Sequence, residues 1–94
     1  MSRTDRMQKP GIVSDIDVSL ESAILEMLSR RSPGKTICPS EAARLVSKDG
    51  WEELMERARE AGRRLAARGA IVITQRGKVV DPAQTKGPIR MRRP

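Results

Sequence analysis

The side chains best suited to chemistry in this sequence are its arginines and lysines, which gather in the second half of the chain. Residues 1–56 hold eight basic and ten acidic side chains, whereas residues 57–94 hold eleven basic and two acidic ones. The second half therefore carries a net charge of +9 within a total of +7. Such polarity favours a polyanionic partner. Arginine outnumbers lysine by 14 to 5, so a GC-rich genome is an alternative explanation of the charge.

The basic residues lie in three segments that could contact the phosphates of duplex DNA: a predicted third helix, a predicted hairpin turn and the C-terminal tail. Four or five phosphate contacts would give the affinity a salt slope of about −4. The alternative is a solubilising turn followed by a disordered basic tail. The principal phosphate contacts would be Arg64, Arg68, Arg76 and Lys78, and the possible base readers Arg59 and Arg63. The full candidate set is Arg57, Arg59, Arg63, Arg64, Arg68, Arg76, Lys78, Arg90 and Arg92.

Enzyme and metal chemistry find little support in the sequence. The chain has one cysteine and no histidine, so we expect neither an intrachain disulfide nor a zinc site. It has no phosphate-binding Gly-rich loop and no carboxylate pair suited to a cleft. We therefore predict a protein that is not an enzyme and takes no cofactor or metal. Trp51 is the only aromatic residue, so a stacking platform for RNA loops or single strands is not expected.

Two further features bear on chemistry and location. Cys38 begins a predicted helix, where a thiol could be redox-sensing because the helix N-terminus lowers its pKa. Its simpler interpretation is helix capping. No apolar run approaches the ~18 residues of a membrane span, and Met1–Ser19 has no hydrophobic stretch typical of a signal peptide. These absences, with the single thiol, predict a cytoplasmic protein with no membrane partner.

Two helices are predicted before residue 49. The first runs from near Ser19 to near Arg31, because apolar residues from Leu20 onward recur at i, i+3, i+4, i+7 and i+8. The second begins at Cys38-Pro39-Ser40-Glu41, where proline suits the first helical position and Glu41 can bond the backbone of the cap residue. An extended link at Thr36-Ile37 separates the two helices. The residues expected to pack the second helix are Ala42, Ala43, Leu45 and Val46.

A third, longer helix is predicted from Asp49 to Gly69. Asp49 would cap it, with Glu52 completing a capping box, and Gly69 would close it in the left-handed conformation. The interior Gly62 costs roughly 1 kcal/mol relative to alanine, so close helix packing is its expected purpose. The spacing of Glu53–Arg57 and of Glu60–Arg64 predicts ion pairs along the helix.

A β-hairpin follows the third helix. Ile71–Gln75 and Lys78–Val80 flank Arg76-Gly77, which suits a two-residue turn. We expect Ile71, Ile73 and Val79 to face the core. In the tail, residues 89–92 alternate apolar and basic side chains, which could lay Ile89 and Met91 against the domain.

The order helix, short strand, helix, helix, β-hairpin is that of a winged helix-turn-helix. The predicted class is mainly α with a small β-hairpin (α+β). Residues 1–17 are interpreted as a flexible leader, residues 18–81 as the winged-helix domain, and residues 82–94 as a basic tail that could pack back on the domain.

The segment Ser32–Arg44, with its Cys-Pro-Ser-Glu motif, resembles a small uncharacterised bacterial family known as a domain of unknown function. The resemblance covers most of residues 20–92 and implies a winged-helix-like fold but no function. The later segments that are similar to motifs of the family are Trp51, Leu54-Met55, Arg63-Arg64-Leu65, Thr74-Gln75-Arg76-Gly77 and Gly87-Pro88-Ile89-Arg90.

Two functional hypotheses stay open. In the first, the protein binds double-stranded DNA through the hairpin and the C-terminal half of the third helix. In the second, the same fold is a protein-interaction module that meets a protein partner or forms a homodimer. The basic second half favours the first hypothesis. Glu52, Glu53 and Glu56 favour the second, since three carboxylates at the start of a recognition helix mainly repel a duplex.

Overall fold

The first helix begins earlier than the sequence periodicity predicts. The computed structural model describes residues 14–94, in which helix α1 spans Asp15–Ser29. Ser14 caps it through a capping box with Asp17, whose carboxylate accepts the Ser14 backbone N–H at 3.1 Å. Residues 15–17, predicted as leader, are therefore helical, and the start near Ser19 is wrong. The leader's residues 1–13 lie outside the described part of the chain.

Helix α2 spans Pro39–Val46 and begins as predicted at Cys38, whose backbone N–H donates to Glu41 at 3.0 Å. Ala42 and Ala43 are fully buried, which brings α2 close to its neighbours. Leu45, predicted to pack, is instead 59% exposed. The inward positions 39, 42, 43 and 46 follow the i, i+3, i+4, i+7 pattern of one helix face, and residue 45 lies outside that face.

The predicted third helix is two elements. A 3₁₀ turn spans Trp51–Leu54, and helix α3 spans Met55–Ala67. The capping box at Asp49 does not form, because Gly50 adopts a left-handed conformation with φ of 79° and redirects the chain before the helix. The predicted end at Gly69 is confirmed. Gly69 has φ of 82°, and the N–H groups of Gly69 and Ala70 bond the last carbonyls of α3.

Three short antiparallel strands complete the fold. Strands β1 (Val72–Gln75) and β2 (Lys78–Val80) form the predicted hairpin, and Arg76 and Gly77 both have positive φ, as a type I′ turn requires. Strand β3 (Arg90–Arg92) pairs with the other side of β1, giving the order β2-β1-β3. Ile37 exchanges two backbone hydrogen bonds with Met91, so the predicted link before α2 joins the sheet.

The register of the hairpin corrects one predicted core residue. Val80, not Val79, lies opposite Ile73, so Val80 packs against the core and Val79 is 56% exposed. In a hairpin closed by a two-residue turn, directly opposed residues share a face, and this pairing decides the face of each valine.

The core is aliphatic and lies between the helices and the sheet. Gly62 of α3 faces Met91 of β3, so its expected role in close packing applies to a strand rather than a helix. The chain is thus α+β, with three helices followed by a three-stranded antiparallel sheet. Within residues 14–94, no helix is long and apolar enough to cross a membrane. The largest fully buried side chains are Leu20, Ile24, Ile37, Leu65, Ile71, Ile73 and Met91.

Candidate nucleic-acid interface

The predicted basic residues fall into two groups that differ in their surroundings. The α3 cations are Arg57, Arg59, Arg63, Arg64 and Arg68, the last of them the residue that ends the helix. The remaining four candidates lie on the hairpin and on β3: Arg76, Lys78, Arg90 and Arg92.

Two of the α3 cations share one carboxylate on α1. Arg64 donates through Nε to Glu21 at 2.5 Å, and Arg68 donates through Nη1 to the other oxygen of Glu21 at 3.1 Å. The Glu21 side chain is only 12% exposed, so both guanidinium groups compensate a charge that water reaches poorly. Arg64 and Arg68 therefore join α1 to α3.

Arg57 forms a second link between the same two helices. Its Nε lies 2.9 Å from Oδ1 of Asp17, and its Nη2 donates to the hydroxyl of Ser14 at 2.5 Å. The hydrogen bond from Arg57, together with those from Ser14, lowers the pKa of Asp17 from 3.8 to about 2. The charge of Arg57 thus stabilises the capped start of α1.

The remaining α3 cations pair within their own helix. Arg59 lies 3.1 Å from Glu56, and Arg63 lies 2.8 Å from Glu60 and 3.4 Å from the Thr85 hydroxyl. These are i,i+3 pairs. The predicted i,i+4 partners of Arg57 and Arg64 were Glu53 and Glu60. That prediction is wrong, because both arginines pair with carboxylates of α1 instead. Positions 57 and 64 are seven residues apart, which places both on the helix face toward α1, where other carboxylates are closer.

The hairpin and the segment before β3 form a basic groove of about 790 Å³. No acidic side chain is among the residues that line it, all of which belong to the described part of the chain. Its cations are called here the groove cations. They are Arg76, Lys78, Lys86 and Arg90.

Side-chain hydrogen bonds fix the walls of the groove. The amide nitrogen of Gln75 donates to the carbonyl of Lys86 at 2.6 Å and to that of Pro88 at 3.0 Å, which ties the segment before β3 to strand β1. Arg90 donates to the hydroxyl of Thr36 at 2.7 Å and to its carbonyl at 3.2 Å. These hydrogen bonds hold the segments of the groove together. None of the groove cations lies within 4.0 Å of a carboxylate of residues 14–94.

Sequence reasoning missed Lys86, which the groove requires. The alternating apolar and basic residues after Lys86 were the signal that could have indicated it. They form strand β3, which pairs with β1 and brings the preceding turn beside the hairpin.

Two tail arginines take other roles. Arg92 donates to the carbonyl of Arg93, and Arg93 donates to the carbonyl of Leu28 at 3.0 Å and to that of Arg31, at the end of α1.

A thiol and a carboxylate lie near the groove. Cys38 is half-buried among the lining residues, with its sulfur 2.7 Å from the Ser40 hydroxyl. Burial tends to raise the pKa of Glu41, but the Cys38 N–H and the Arg31 guanidinium, 2.9 Å away, outweigh it and hold that pKa below its usual value. The positive charge of Arg90 adds to this lowering. Glu41 is thus already neutralised by Arg31.

The start of α3 has the opposite character. Glu52 and Glu53 are exposed on the 3₁₀ turn, and Glu56 follows in the first turn of the helix. Within residues 14–94, no cluster of three or more His, Cys, Asp and Glu side chains is arranged to hold a metal ion. The basic groove, in contrast, combines four cations with a lining that contains no carboxylate.

Residues 17–94 match the family model described as "Protein of unknown function (DUF3253)". A search of curated proteins finds no match to the chain.

Proposed function

The chain belongs to the DUF3253 family, and because that description carries no activity, we propose from the geometry that it is a winged-helix protein that binds duplex DNA through its basic groove. The groove would contact the phosphate backbone. The proposal makes the protein a binding module rather than an enzyme, in keeping with the absence of histidine from the sequence.

The arrangement of elements supports the winged-helix assignment. Three helices precede an antiparallel hairpin, and the short extended segment at Ile37 before α2 pairs with β3 at the sheet edge. In winged-helix proteins that bind DNA, the hairpin lies against the duplex beside the third helix. Here the hairpin turn carries Arg76 and is followed at once by Lys78.

The observation that carries the proposal is the concentration of the groove cations without a neighbouring carboxylate. Arg76 lies in the hairpin turn and Lys78 follows it. Lys86 lies on the segment that Gln75 holds beside the hairpin, and Arg90 begins strand β3. When one of these cations contacts a phosphate, it displaces a counterion condensed on the DNA, and the release of that ion favours binding. The α3 cations are each paired with a carboxylate. Their contribution to phosphate binding stays a prediction, and we expect it to be smaller than that of the groove cations.

Fluorescence anisotropy with a random-sequence duplex at about 50 mM salt tests the proposal, since counterion release makes attraction strongest at low salt. We expect Arg76→Gln/Lys78→Gln to weaken binding by about tenfold or more, because two phosphate contacts are lost. The matched control is Lys35→Gln/Lys48→Gln, which removes the same charge from two exposed residues outside the groove that pair with no carboxylate of residues 14–94. Equal losses of affinity in the two double variants would show that the groove is not the DNA-binding surface.

A protein-interaction module is the second candidate, and an exposed apolar surface favours it. Val18 of α1 and Leu45 of α2 are 48% and 59% exposed and border a shared depression. Analytical ultracentrifugation of the wild type and of Leu45→Ser tests this candidate. A monomer at every concentration would count against self-association, whereas a dimer that Leu45→Ser dissociates would favour it.

A further inference from the structure

Resting on the proposed function, we infer that the protein binds duplex DNA without reading its sequence, with the start of α3 turned away from the bases. Sequence recognition depends on which side chains are free to contact base edges. Reading bases requires donors that can form paired hydrogen bonds in the major groove, chiefly arginine to guanine and glutamine or asparagine to adenine.

The arginines of α3 are already committed to other partners. Arg59 and Arg63 hold Glu56 and Glu60 within the helix, while Arg64 and Arg68 hold Glu21 on α1. Contact with a base would first break an ion pair. In the case of Glu21 it would also leave a poorly hydrated carboxylate without its partner, which is costly.

The groove has one amide that could read adenine, and it too is occupied. Gln75 directs its Nε2 at the carbonyls of Lys86 and Pro88, so both of its donor hydrogens are used within the fold. Arg90 likewise directs its guanidinium at Thr36. All four groove cations are exposed. Arg90 keeps its charge beside Thr36, Arg76 is a single uncommitted arginine in the hairpin turn, and Lys78 and Lys86 are point charges. The four therefore suit contacts with phosphates, which position a protein on DNA but carry no sequence information.

The exposed carboxylates supply the orientation. Glu52 and Glu53 lie on the 3₁₀ turn that leads into α3, the helix that would enter the major groove, and phosphates on both sides of that groove would repel them. The groove cations, none of which belongs to the 3₁₀ turn, attract the backbone. This repulsion and this attraction together favour an orientation in which the hairpin approaches the duplex and the 3₁₀ turn points away from it.

Anisotropy titrations of the full-length protein with two duplexes of equal length, one rich in A·T and one in G·C, test the inference. We expect affinities that agree within about threefold, since phosphate contacts do not distinguish bases. A preference of about tenfold or more for one duplex would overturn the inference while leaving DNA binding intact. No binding to either duplex at about 50 mM salt would overturn the proposed function and the inference with it.

A pair of single variants tests the assignment of the α3 arginines. Arg59→Gln and Arg76→Gln remove one charge each, so their net electrostatic change is the same. We expect Arg59→Gln to change affinity for both duplexes by less than about twofold and Arg76→Gln to lower it by about fivefold, with a salt slope smaller by roughly 1. Thermal unfolding checks that both variants fold, and Lys78→Gln repeats the groove measurement at a second position. A loss from Arg59→Gln that equals the loss from Arg76→Gln would overturn the inference.

Discussion

The α3 cations and the groove cations have the same charge but different surroundings. Every α3 cation lies within hydrogen-bond distance of a carboxylate, at 2.5 to 3.1 Å. The groove cations have no carboxylate within 4.0 Å among residues 14–94. The net charge of a segment therefore does not measure its capacity to bind an anion. What matters is how much of that charge the fold has already neutralised.

The largest effect should come from reversing charge in the groove. Arg76→Glu/Lys78→Glu should lower affinity for a random duplex by about 100-fold or more, since two attractive contacts become repulsive. Because neither side chain is buried, the free energy of unfolding should change by less than about 0.5 kcal/mol. Anisotropy and urea unfolding followed by circular dichroism measure the two quantities. A double variant that binds like the wild type would show that the groove cations do not contact the duplex.

Removing an α3 cation should have the opposite signature. Arg64→Met should lower the free energy of unfolding by about 2 kcal/mol, because Glu21 keeps only its longer contact to Arg68 and stays poorly hydrated. DNA affinity of the folded variant should stay within about twofold of the wild type. Arg76→Met serves as the matched control for stability. If the two variants were equally stable, the ion pairs of α3 would not be the stabilising set described here.

Helix α3 packs closely against strand β3 at Gly62. A β-carbon added at Gly62 would lie 2.7 Å from the sulfur of Met91, which is fully buried. Gly62→Ala should therefore lower the free energy of unfolding by about 1 kcal/mol, even though alanine favours the helix by a similar amount. Differential scanning calorimetry measures the effect. Gly62→Ala should cost less in a Met91→Val background than in the wild type, because the shorter side chain leaves room for the added carbon. An equal or greater cost in that background would contradict the proposed clash.

The smallest effect concerns acid stability. The pKa of Asp17 in the folded chain is about 2, below its ordinary value, so the ionised form stabilises the fold above pH 4 and this contribution disappears as the pH falls from 4 to 2. We expect about 0.5 kcal/mol, less than the full linkage value because Arg57 is 41% exposed and solvent screens the pair. Chemical unfolding between pH 2 and 6 should show a flatter profile for Arg57→Gln. Identical profiles would exclude Asp17 as the source.

Local signals in the sequence were sufficient for much of the fold. The hairpin turn at Arg76-Gly77 and the helix end at Gly69 follow from conformations that glycine adopts without strain. The start of α2 follows from its proline and glutamate. The same kind of signal misplaced the start of the third helix, because a capping-box spacing at Asp49 does not reveal that Gly50 turns the chain first.

The candidate site was less predictable because its geometry depends on contacts distant in sequence. Arg57 and Arg64 pair with Asp17 and Glu21, 40 and 43 residues away. Nearest-neighbour spacing along the helix could not indicate those partners. Lys86 was missed for a related reason, since only the pairing of β3 with β1 and the amide of Gln75 place it beside the hairpin. Sequence located the charge, and the tertiary contacts divided it into neutralised and available parts.

The salt dependence of wild-type binding to a random duplex tests the division most directly, because the slope counts the cations that contact phosphate. If only the four groove cations bind, the slope of the logarithm of affinity against the logarithm of salt concentration is about −4. If the α3 cations also bind, the slope steepens toward about −8. We predict the first result. The steeper slope, or no measurable binding at about 50 mM salt, would contradict the account.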